Sequence, residues 1–329
     1  MASILKRVKP QWLAVDSPDE ALLLRARGYA KSILILGYVP QARLKEILGK
    51  KISLTVYNLE TLKKIVALKP KKPVKVHLKI ETGLNRQGVK DESLAKLVRC
   101  TLKYRRYLTI EGASTHFANI EDTLDPTFGR EQLREFNRQR KLIKELGVKP
   151  ALFHTAASAA TMIYPESRFN LVRIGIGLYG LWPSRETKIA CRGKKIKLLP
   201  VVSWRSLVAQ VKNVKVGESV GYGRTWLAQR KSKIAIIPVG YYDGFDRKLS
   251  NYGRVLIKGK FAPVIGRVAM NMIMVDVTDI AGVKVEDSVT LVGRDGKNEI
   301  TADEIAEKLG TINYEVVTRL NPALPRLIK

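Results

Sequence analysis

The sequence is short of several features that would direct a protein to the cell exterior or to a membrane. Only two of the 329 residues are cysteines, Cys100 and Cys191, and they form neither a CxxC pair nor a disulfide framework. No apolar run reaches the roughly 18 residues that a membrane span needs, and the N-terminus lacks the apolar core of a signal peptide. We therefore expect a cytoplasmic protein without a membrane partner.

Acidic residues are also scarce. The chain has 30 Asp and Glu against 59 Lys and Arg, a formal net charge of +29. The basic residues are spread through periodic segments, and the densest cluster, KPKKPVK at 69–75, is a short loop. Because no zinc finger, RNP signature or basic heptad accompanies the charge, we interpret it as a solvated cationic surface. Binding to nucleic acid is expected only as incidental attraction at low salt, without a specific partner.

The first half of the chain alternates short apolar strands with amphipathic helices. This order predicts a parallel sheet covered by helices. An eight-stranded (β/α) barrel needs one strand more than the seven that we identify, and the chain begins directly at a strand. An open, doubly wound sheet can be built from seven strands, so this fold is the alternative to a barrel. The strand-like runs are 12–15, 32–37, 53–58, 74–82, 108–117, 151–158 and 171–180.

From about residue 196 the pattern changes to β runs separated by Gly, Asp and Asn turns. We therefore predict a (β/α)8-type barrel that lacks its first βα unit, over residues 1–190. A mostly β C-terminal domain follows, over residues 191–329.

Several segments carry helix start or stop signals. Residues 17–20 (SPDE) form a capping box with Pro at the first helical position, and Asn58 and residues 125–126 are predicted caps. A late helix over 301–309 is predicted to begin at a capping box and to stop at Gly310.

Basic and polar residues recur where the predicted parallel strands end, which is where barrels place their active sites. In the run 74–82 polar residues alternate with apolar ones, so Lys79 should point into the barrel near its top. A single histidine at a strand end would be interpreted by default as a core residue. Basic groups at the ends of four adjacent strands favour an anion-binding pocket instead. The residues concerned are Lys79, Arg86, His116, His154, Ser158, Arg173, Gly175 and Gly177.

The segment GIGLYG at 175–180 matches the pattern of a dinucleotide-binding loop. It is followed by Pro183 and not by a helix, and no acidic residue lies between Glu186 and Glu218, where the ribose carboxylate would be needed. We reject a dinucleotide site, although these glycines would let backbone amides approach a phosphate.

Two patterns in the second half have structural interpretations by default. Tyr222 lies between two glycines and is predicted at a hairpin tip as a packing residue. Met270, Met272 and Met274 alternate, which is typical of a core strand.

Taken together, these segments resemble alanine racemase over nearly the whole chain. The resemblance implies a barrel that binds pyridoxal 5'-phosphate (PLP), followed by a β domain, in a homodimer whose active site is shared between subunits. Eight matches in the correct order are specific. They are HLKIETGLNRQG, THFAN, HTAASAA, VRIGIGLYG, SVGYGRTW, IPVGYYDG, GRVAMNMIMVD and TINYE.

The resemblance assigns roles near the substrate. Tyr222 would be the acid/base on one face of the substrate Cα and would reach the cofactor of the partner subunit. Arg86 and the main chain at Met270 would contact the substrate carboxylate and the cofactor side. Lys79 matches a position that some members carbamylate.

The resemblance also assigns residues to the cofactor. Arg173 would bind the pyridine nitrogen, which keeps that nitrogen unprotonated and favours racemisation over transamination. His154 would support Arg173, and His116 would lie against the ring. The phosphate would be held by Ser158, the backbone of Gly175 and Ile176, and Tyr314.

Three departures from the family pattern stand out. We find no segment like KANAYGHG, which in the family carries the lysine that binds the cofactor, so we expect that the sequence starts just after it and is N-terminally truncated. Ala157 replaces the usual asparagine of HTANSAA, which removes a polar contact near the phosphate. Asn271 replaces an aspartate and Tyr242 an alanine, which could alter dimer or substrate-access contacts.

The implied function is PLP-dependent racemisation of L-alanine and D-alanine by two-base Cα proton transfer, which supplies D-alanine for peptidoglycan. A racemase of another small amino acid, such as serine, stays open. So does a PLP-binding protein that is inactive as given because the Schiff-base lysine is absent. The net charge alone suggests a further hypothesis, an anion- or nucleic-acid-binding protein.

Overall fold

The protein is described by a computed structural model that covers residues 8, 10–121 and 125–328. The chain divides into two compact units. The first comprises the described residues up to Leu178 together with Trp182–Ile196, and the second comprises Tyr179–Leu181 and the described residues from Lys197 onward.

The first unit is built on a six-stranded sheet in which every neighbouring pair is parallel and the strands follow sequence order. Sequential parallel strands joined by helices are the arrangement of a (β/α) barrel, so the predicted class of this unit is confirmed. The strands are β1 (Trp12–Val15), β2 (Ser32–Ile35), β3 (Ile52–Val56), β4 (Val74–Lys79), β5 (Leu108–Ser114) and β6 (Leu152–His154).

Helices follow most of these strands, and the predicted start signals are largely confirmed. Ser17 Oγ accepts from the Glu20 amide while the Glu20 carboxylate accepts from the Ser17 amide, and Asn58 Oδ1 accepts from the Thr61 amide. At the fifth helix the cap residue is Pro126, and the Asp125 carboxylate accepts from the next amide, that of Thr127. The helices are α1 (Pro18–Ala26), α2 (Leu44–Ile47), α3 (Leu59–Ala67), α4 (Asp91–Lys103), α5 (Thr127–Glu145), α6 (Ser158–Ile163) and α7 (Arg185–Ala190).

The core of the first unit lies between the sheet and the helices. Ile33 and Leu54 of the sheet are buried with Leu62, Leu94 and Phe136 of the helices. On β4 the apolar residues are buried, which turns the alternating polar side chains to the other face of the sheet. That second face is the one that places the site.

The predicted seventh strand, 171–180, is wrong. This segment is irregular up to Gly175 and then forms a short 3-10 turn, Ile176–Tyr179. Its backbone donors are used elsewhere: the Arg173 amide donates to Ala156 O, and the amides of Gly175 and Gly177 donate to Ser158 Oγ. The apolar pattern is that of a strand, but the hydrogen bonds are those of a loop.

The second unit is mostly antiparallel β structure, as predicted. The strands are β7 (Trp204–Leu207), β8 (Gln210–Val214), β9 (Ser219–Val220), β10 (Trp226–Leu227), β11 (Ser232–Ile237), β12 (Arg254–Ile257), β13 (Lys260–Ile265), β14 (Ile273–Asp276), β15 (Ser288–Asp295) and β16 (Asn298–Ile300). The main sheet has the order β16-β15-β12-β13-β14-β11-β8, with β7 also paired to β15, and β9 and β10 form a separate hairpin.

Two helices end the second unit, α8 (Ala302–Leu309) and α9 (Asn313–Thr318). The predicted start and stop of α8 are confirmed: Thr301 Oγ1 accepts from the Glu304 amide, and Gly310 has a φ of +67°. The Glu304 carboxylate pairs with Arg254 of β12.

Two side-chain predictions in the second unit are wrong. Tyr222 does lie at the tip of the β9–β10 hairpin, but the residue is 72% exposed, so it does not pack there. Met270 and Met272 are half exposed, because they precede β14 and lie outside its alternation; Met274, within β14, is partly buried. Across the described residues, no helix has the length and apolarity to cross a membrane.

Candidate active site

The carboxyl ends of three neighbouring strands bring the predicted polar residues together in the first unit. Lys79 is opposite Ser114 in the register of β4 and β5, and Ser114 is opposite His154 in the register of β5 and β6. His116 follows β5 by two residues. The sheet therefore sets these side chains at one edge, as the sequence predicts.

Arg173 forms hydrogen bonds to several groups at this edge. Its Nη1 lies 2.7 Å from both Nδ1 and the carbonyl oxygen of His154. Its Nη2 lies 2.9 Å from the carbonyl oxygens of Thr115 and Thr155, and 3.3 Å from His116 Nδ1. With both terminal nitrogens engaged, Nε–H is the donor that has no acceptor among the described residues.

The charges at this edge are dominated by cations. Burial, followed by the positive charges of Arg173, Lys79 and Arg86, lowers the pKa of His116 to about 3. Burial, Arg173 and Arg86 likewise lower the pKa of Lys79 to about 7, against the opposing effect of Glu81.

The other two groups at this edge respond to the same environment. Burial, with smaller contributions from Arg173, His77 and Lys79, lowers the pKa of His154 well below its usual range. Burial lowers the pKa of Arg173 to about 10, which leaves it charged at neutral pH. Two neutral imidazoles beside the cations Arg86 and Arg173 and a partly protonated Lys79 form a site suited to an anion.

A second feature of the edge is a cluster of backbone amides around one hydroxyl. Ser158, at the first position of α6, is buried, and its Oγ accepts from the amides of Gly175 at 3.1 Å and Gly177 at 3.3 Å. Space in front of Gly175 is open, since a Cβ there would meet no atom within 4 Å. Ala157, the cap residue of α6, provides no side-chain acceptor to the first turn. A cluster of backbone amides beside an open approach, here at Gly175, is a usual setting for a phosphate.

The remaining predicted residues belong to the second unit. Tyr222 is exposed at its hairpin tip, Met270 is half exposed and its carbonyl accepts from the Tyr242 amide, and Tyr314 lies in α9. The first unit thus brings together Lys79, Arg86, His116, His154, Ser158, Arg173, Gly175 and Ile176.

Some contributors were missed by sequence reasoning. The backbone carbonyls of Thr115 and Thr155 accept hydrogen bonds from Arg173. A pattern of side chains in the sequence does not predict where a backbone carbonyl will point. Glu111 was also missed, although it lies in the run 108–117, the predicted strand that also contains His116. No group of three or more His, Cys, Asp or Glu is arranged to bind a metal ion within the described ranges.

Comparisons with known families and proteins agree over almost the full chain. Family models described as the N-terminal and C-terminal domains of alanine racemase match residues 1–183 and 201–328. The alanine racemase of Leptospira interrogans serovar Lai is 40% identical over 321 residues, which is 96% of this chain and 82% of that protein. The alanine racemase of Methanococcus maripaludis is 39% identical over 317 residues, 96% of this chain and 83% of that protein.

Solved structures give the same result at the level of the fold. Alanine racemase from Clostridium difficile 630 is similar with a TM-score of 0.90 and 35% identity, over 97% of this chain and 82% of that one. Alanine racemase from Bacillus anthracis with bound L-Ala-P is similar with a TM-score of 0.88 and 35% identity, over 94% of this chain and 78% of that one.

Proposed function

The chain belongs to the alanine racemase family of isomerases, and from this membership we propose that it interconverts L-alanine and D-alanine with PLP as cofactor. The D-alanine would serve peptidoglycan synthesis in the cytoplasm, a compartment compatible with the unpaired Cys100 and Cys191. The observation that carries the proposal is the donor set around Arg173.

This donor set fits PLP at both of its polar ends. The Nε–H of Arg173 is a donor with no acceptor in the part of the chain that the structure describes, as the pyridine nitrogen requires, and a guanidinium does not give up its proton to that nitrogen. Ser158 and the backbone of Gly175 and Ile176 would provide a cradle for the phosphate, and the resemblance to the family assigns Tyr314 to the phosphate as well. The surplus of positive charge complements a phosphate dianion.

When bound, PLP delocalises negative charge from the substrate Cα and so makes its proton acidic. The residues of this chain would bind, orient and exchange that proton. Arg86 and the main chain of Met270 would hold the substrate carboxylate, and His116 would restrict the ring. The Tyr222 hydroxyl would take or return the proton on one face of Cα.

We further propose that the working form is a homodimer in which Tyr222 serves the cofactor of the partner subunit. Large apolar side chains are exposed at the tip of the β9–β10 hairpin and on two adjacent loops of the second unit, where the amides of Tyr241 and Tyr242 donate to the carbonyls of Ala269 and Met270. Such exposed groups mark interaction surfaces. They are Tyr222, Tyr241, Tyr242, Met270 and Met272.

We also propose that Lys79 is carbamylated. A lysine whose pKa lies at about 7 has an uncharged fraction at neutral pH, which carbamylation requires. A carbamate would also replace one of three mutually repelling cations by an anion beside Arg86 and Arg173, which favours the modification.

One observation favours a second candidate, a PLP-binding protein without racemase activity. The sequence has no segment like KANAYGHG, and the lysine that the described structure places beside Arg173 is Lys79. The two candidates differ in whether an amine of this chain reaches the cofactor.

A labelling experiment separates them. The protein is mixed with PLP and reduced with borohydride, modified lysines are mapped by mass spectrometry, and L-alanine conversion is followed by chiral chromatography. One labelled lysine with D-alanine formation supports the racemase. PLP binding with no labelled lysine and no D-alanine supports the second candidate, and no PLP binding contradicts both. Arg173→Ala is the control for specific binding.

A further inference from the structure

Two buried imidazoles connect Arg173 to a carboxylate on the same face of the sheet. We infer that His77 and Glu111 are positioning residues: they fix the tautomer of His154 and thereby hold the guanidinium of Arg173 with its Nε–H presented to a ligand. The inference rests on the proposed function only in identifying that ligand as PLP.

The four groups form a continuous row of hydrogen bonds. Nη1 of Arg173 lies 2.7 Å from Nδ1 of His154. Nε2 of His154 lies 2.8 Å from Nδ1 of His77. Nε2 of His77 lies 3.3 Å from Oε2 of Glu111. Both imidazoles are fully buried, so neither can substitute water for these partners.

Only one arrangement of protons satisfies this row. An arginine can only donate, so Nδ1 of His154 must accept, and the proton of the neutral ring lies on Nε2. That proton is donated to Nδ1 of His77, whose own proton therefore lies on Nε2 and is donated to Glu111. An ionised carboxylate can only accept, so both ends of the row impose the same direction.

Glu111 is held as an ionised acceptor. Burial alone would raise the pKa of its carboxyl, but hydrogen bonds from His77, from Lys75 at 2.6 Å and from Ser53 at 2.6 Å outweigh burial and lower the pKa to about 2. A carboxylate behind an imidazole fixes the ring tautomer and makes the opposite nitrogen a stronger acceptor. Here the effect passes through two rings in series to Arg173.

The strands are shaped to bring these groups together. Val76 pairs with Ile110 and His77 pairs with Gly112, so Glu111 is an extra residue of β5 at a β-bulge. A bulge re-aims a side chain, and this one sets both Glu111 and Gly112 beside His77. Trp12 of β1 closes the other side of His77 with an edge-on ring contact, 5.6 Å between centroids.

The row leaves Arg173 with a defined spare donor. His154 and the backbone carbonyls occupy its terminal nitrogens, and a guanidinium fixed at that end cannot rotate to offer a different edge. If His154 carried its proton on Nδ1, two donors would face each other and the guanidinium would be displaced. The remote carboxylate thus acts on the site through geometry, without touching the ligand.

The test is direct because the chain has three histidines. Nitrogen NMR of the protein with ¹⁵N-labelled imidazoles, near neutral pH and without added cofactor, reports the protonated nitrogen of each ring. His116→Gln removes the third set of signals and assists assignment. The expected result is a proton on Nε2 of both His77 and His154. A proton on Nδ1 of either ring overturns the inference.

Two variants of matched size test the role of the carboxylate. Glu111→Gln keeps an acceptor oxygen, so both tautomers should persist. Glu111→Met fills the same volume without an acceptor, so His77 should become a mixture of tautomers and PLP affinity should fall by about tenfold, the equivalent of ~1.4 kcal/mol. Tautomers unchanged in Glu111→Met would overturn the inference. If that variant fails to fold, the wild-type spectrum decides alone.

Lys75→Met is the control, because it removes one hydrogen-bond partner of Glu111 and leaves the hydrogen bonds of both imidazoles in place. This variant should have the same tautomers as the wild type. The experiment also separates the inference from the proposed function. If the wild-type protein binds no PLP, the proposed function fails, while the NMR result still supports or overturns the tautomer assignment.

Discussion

A Cβ atom on Gly112 would lie 2.5 Å from Nδ1 of His77 and 2.6 Å from Cε1 of the same ring. The two residues fit on adjacent strands only because Gly112 has no side chain. The absence of a side chain on β5 is therefore part of what lets an imidazole on β4 reach His154 on β6.

We expect Gly112→Ala to lower the free energy of unfolding by about 1–3 kcal/mol, the usual cost of overpacking a rigid interior. Urea denaturation followed by circular dichroism measures it. Gly175→Ala is the matched control, since a Cβ at Gly175 meets no atom within 4 Å and stability should change by less than about 0.5 kcal/mol. Equal effects of the two changes would contradict the close approach at Gly112.

The pKa of Lys79 predicts a pH dependence of stability. The folded state releases this proton near pH 7, whereas the unfolded chain keeps it until about its ordinary value of 10.5. Between these values the unfolded state binds more protons, so the contribution of Lys79 to stability is unfavourable below about pH 7 and improves as the pH rises through that window.

Urea denaturation of wild type and Lys79→Met across this pH window provides the measurement. The advantage of the variant should shrink with increasing pH, because methionine carries no charge to bury. A difference that does not change with pH would show that Lys79 has an ordinary pKa. Lys75→Met, at an exposed position on the same strand, is the control.

Removal of the Ser158 hydroxyl should weaken PLP binding. A hydrogen bond to a charged group contributes about 1.5–3 kcal/mol, so Ser158→Ala should raise the Kd for PLP by roughly tenfold to a hundredfold. Equilibrium dialysis with absorbance detection measures this constant. Ser232→Ala deletes another buried serine hydroxyl, in β11 of the second unit, and should leave the Kd unchanged.

Tyr222→Phe should slow racemisation by about 10²–10⁴-fold if the hydroxyl exchanges the Cα proton on one face. Because the equilibrium constant between the enantiomers is one, kcat/KM must fall equally in both directions. The exchange of the Cα proton with deuterated water is free of this constraint and should fall for one enantiomer only. Mass spectrometry of each enantiomer measures the exchange; an equal loss for both would exclude a one-face role.

The sequence predicts the order of parallel strands and the edge at which polar residues gather, because alternation and strand order are local properties. It fails at 171–180, where the apolar pattern of a strand is present but Ser158 takes the amides of Gly175 and Gly177. It also misses Glu111, whose orientation depends on a bulge between two strands. A register shift is a property of a strand pair, and no single strand encodes it.

The amides of Gly175 and Gly177 donate to one hydroxyl oxygen, that of Ser158. The order of this loop is therefore linked to whether a phosphate is bound beside it. The segment that carries these amides pairs with no strand among residues 10–121 and 125–328, so its protection from hydrogen exchange depends largely on what its amides bind. A phosphate held by Ser158 and the backbone of Gly175 and Ile176, as proposed, would bind the ordered form of this segment in preference to the open one and would shift the equilibrium toward it. Cofactor concentration would then set how often this loop opens, and proteases would cut the loop more readily in the apoprotein than in the holoprotein.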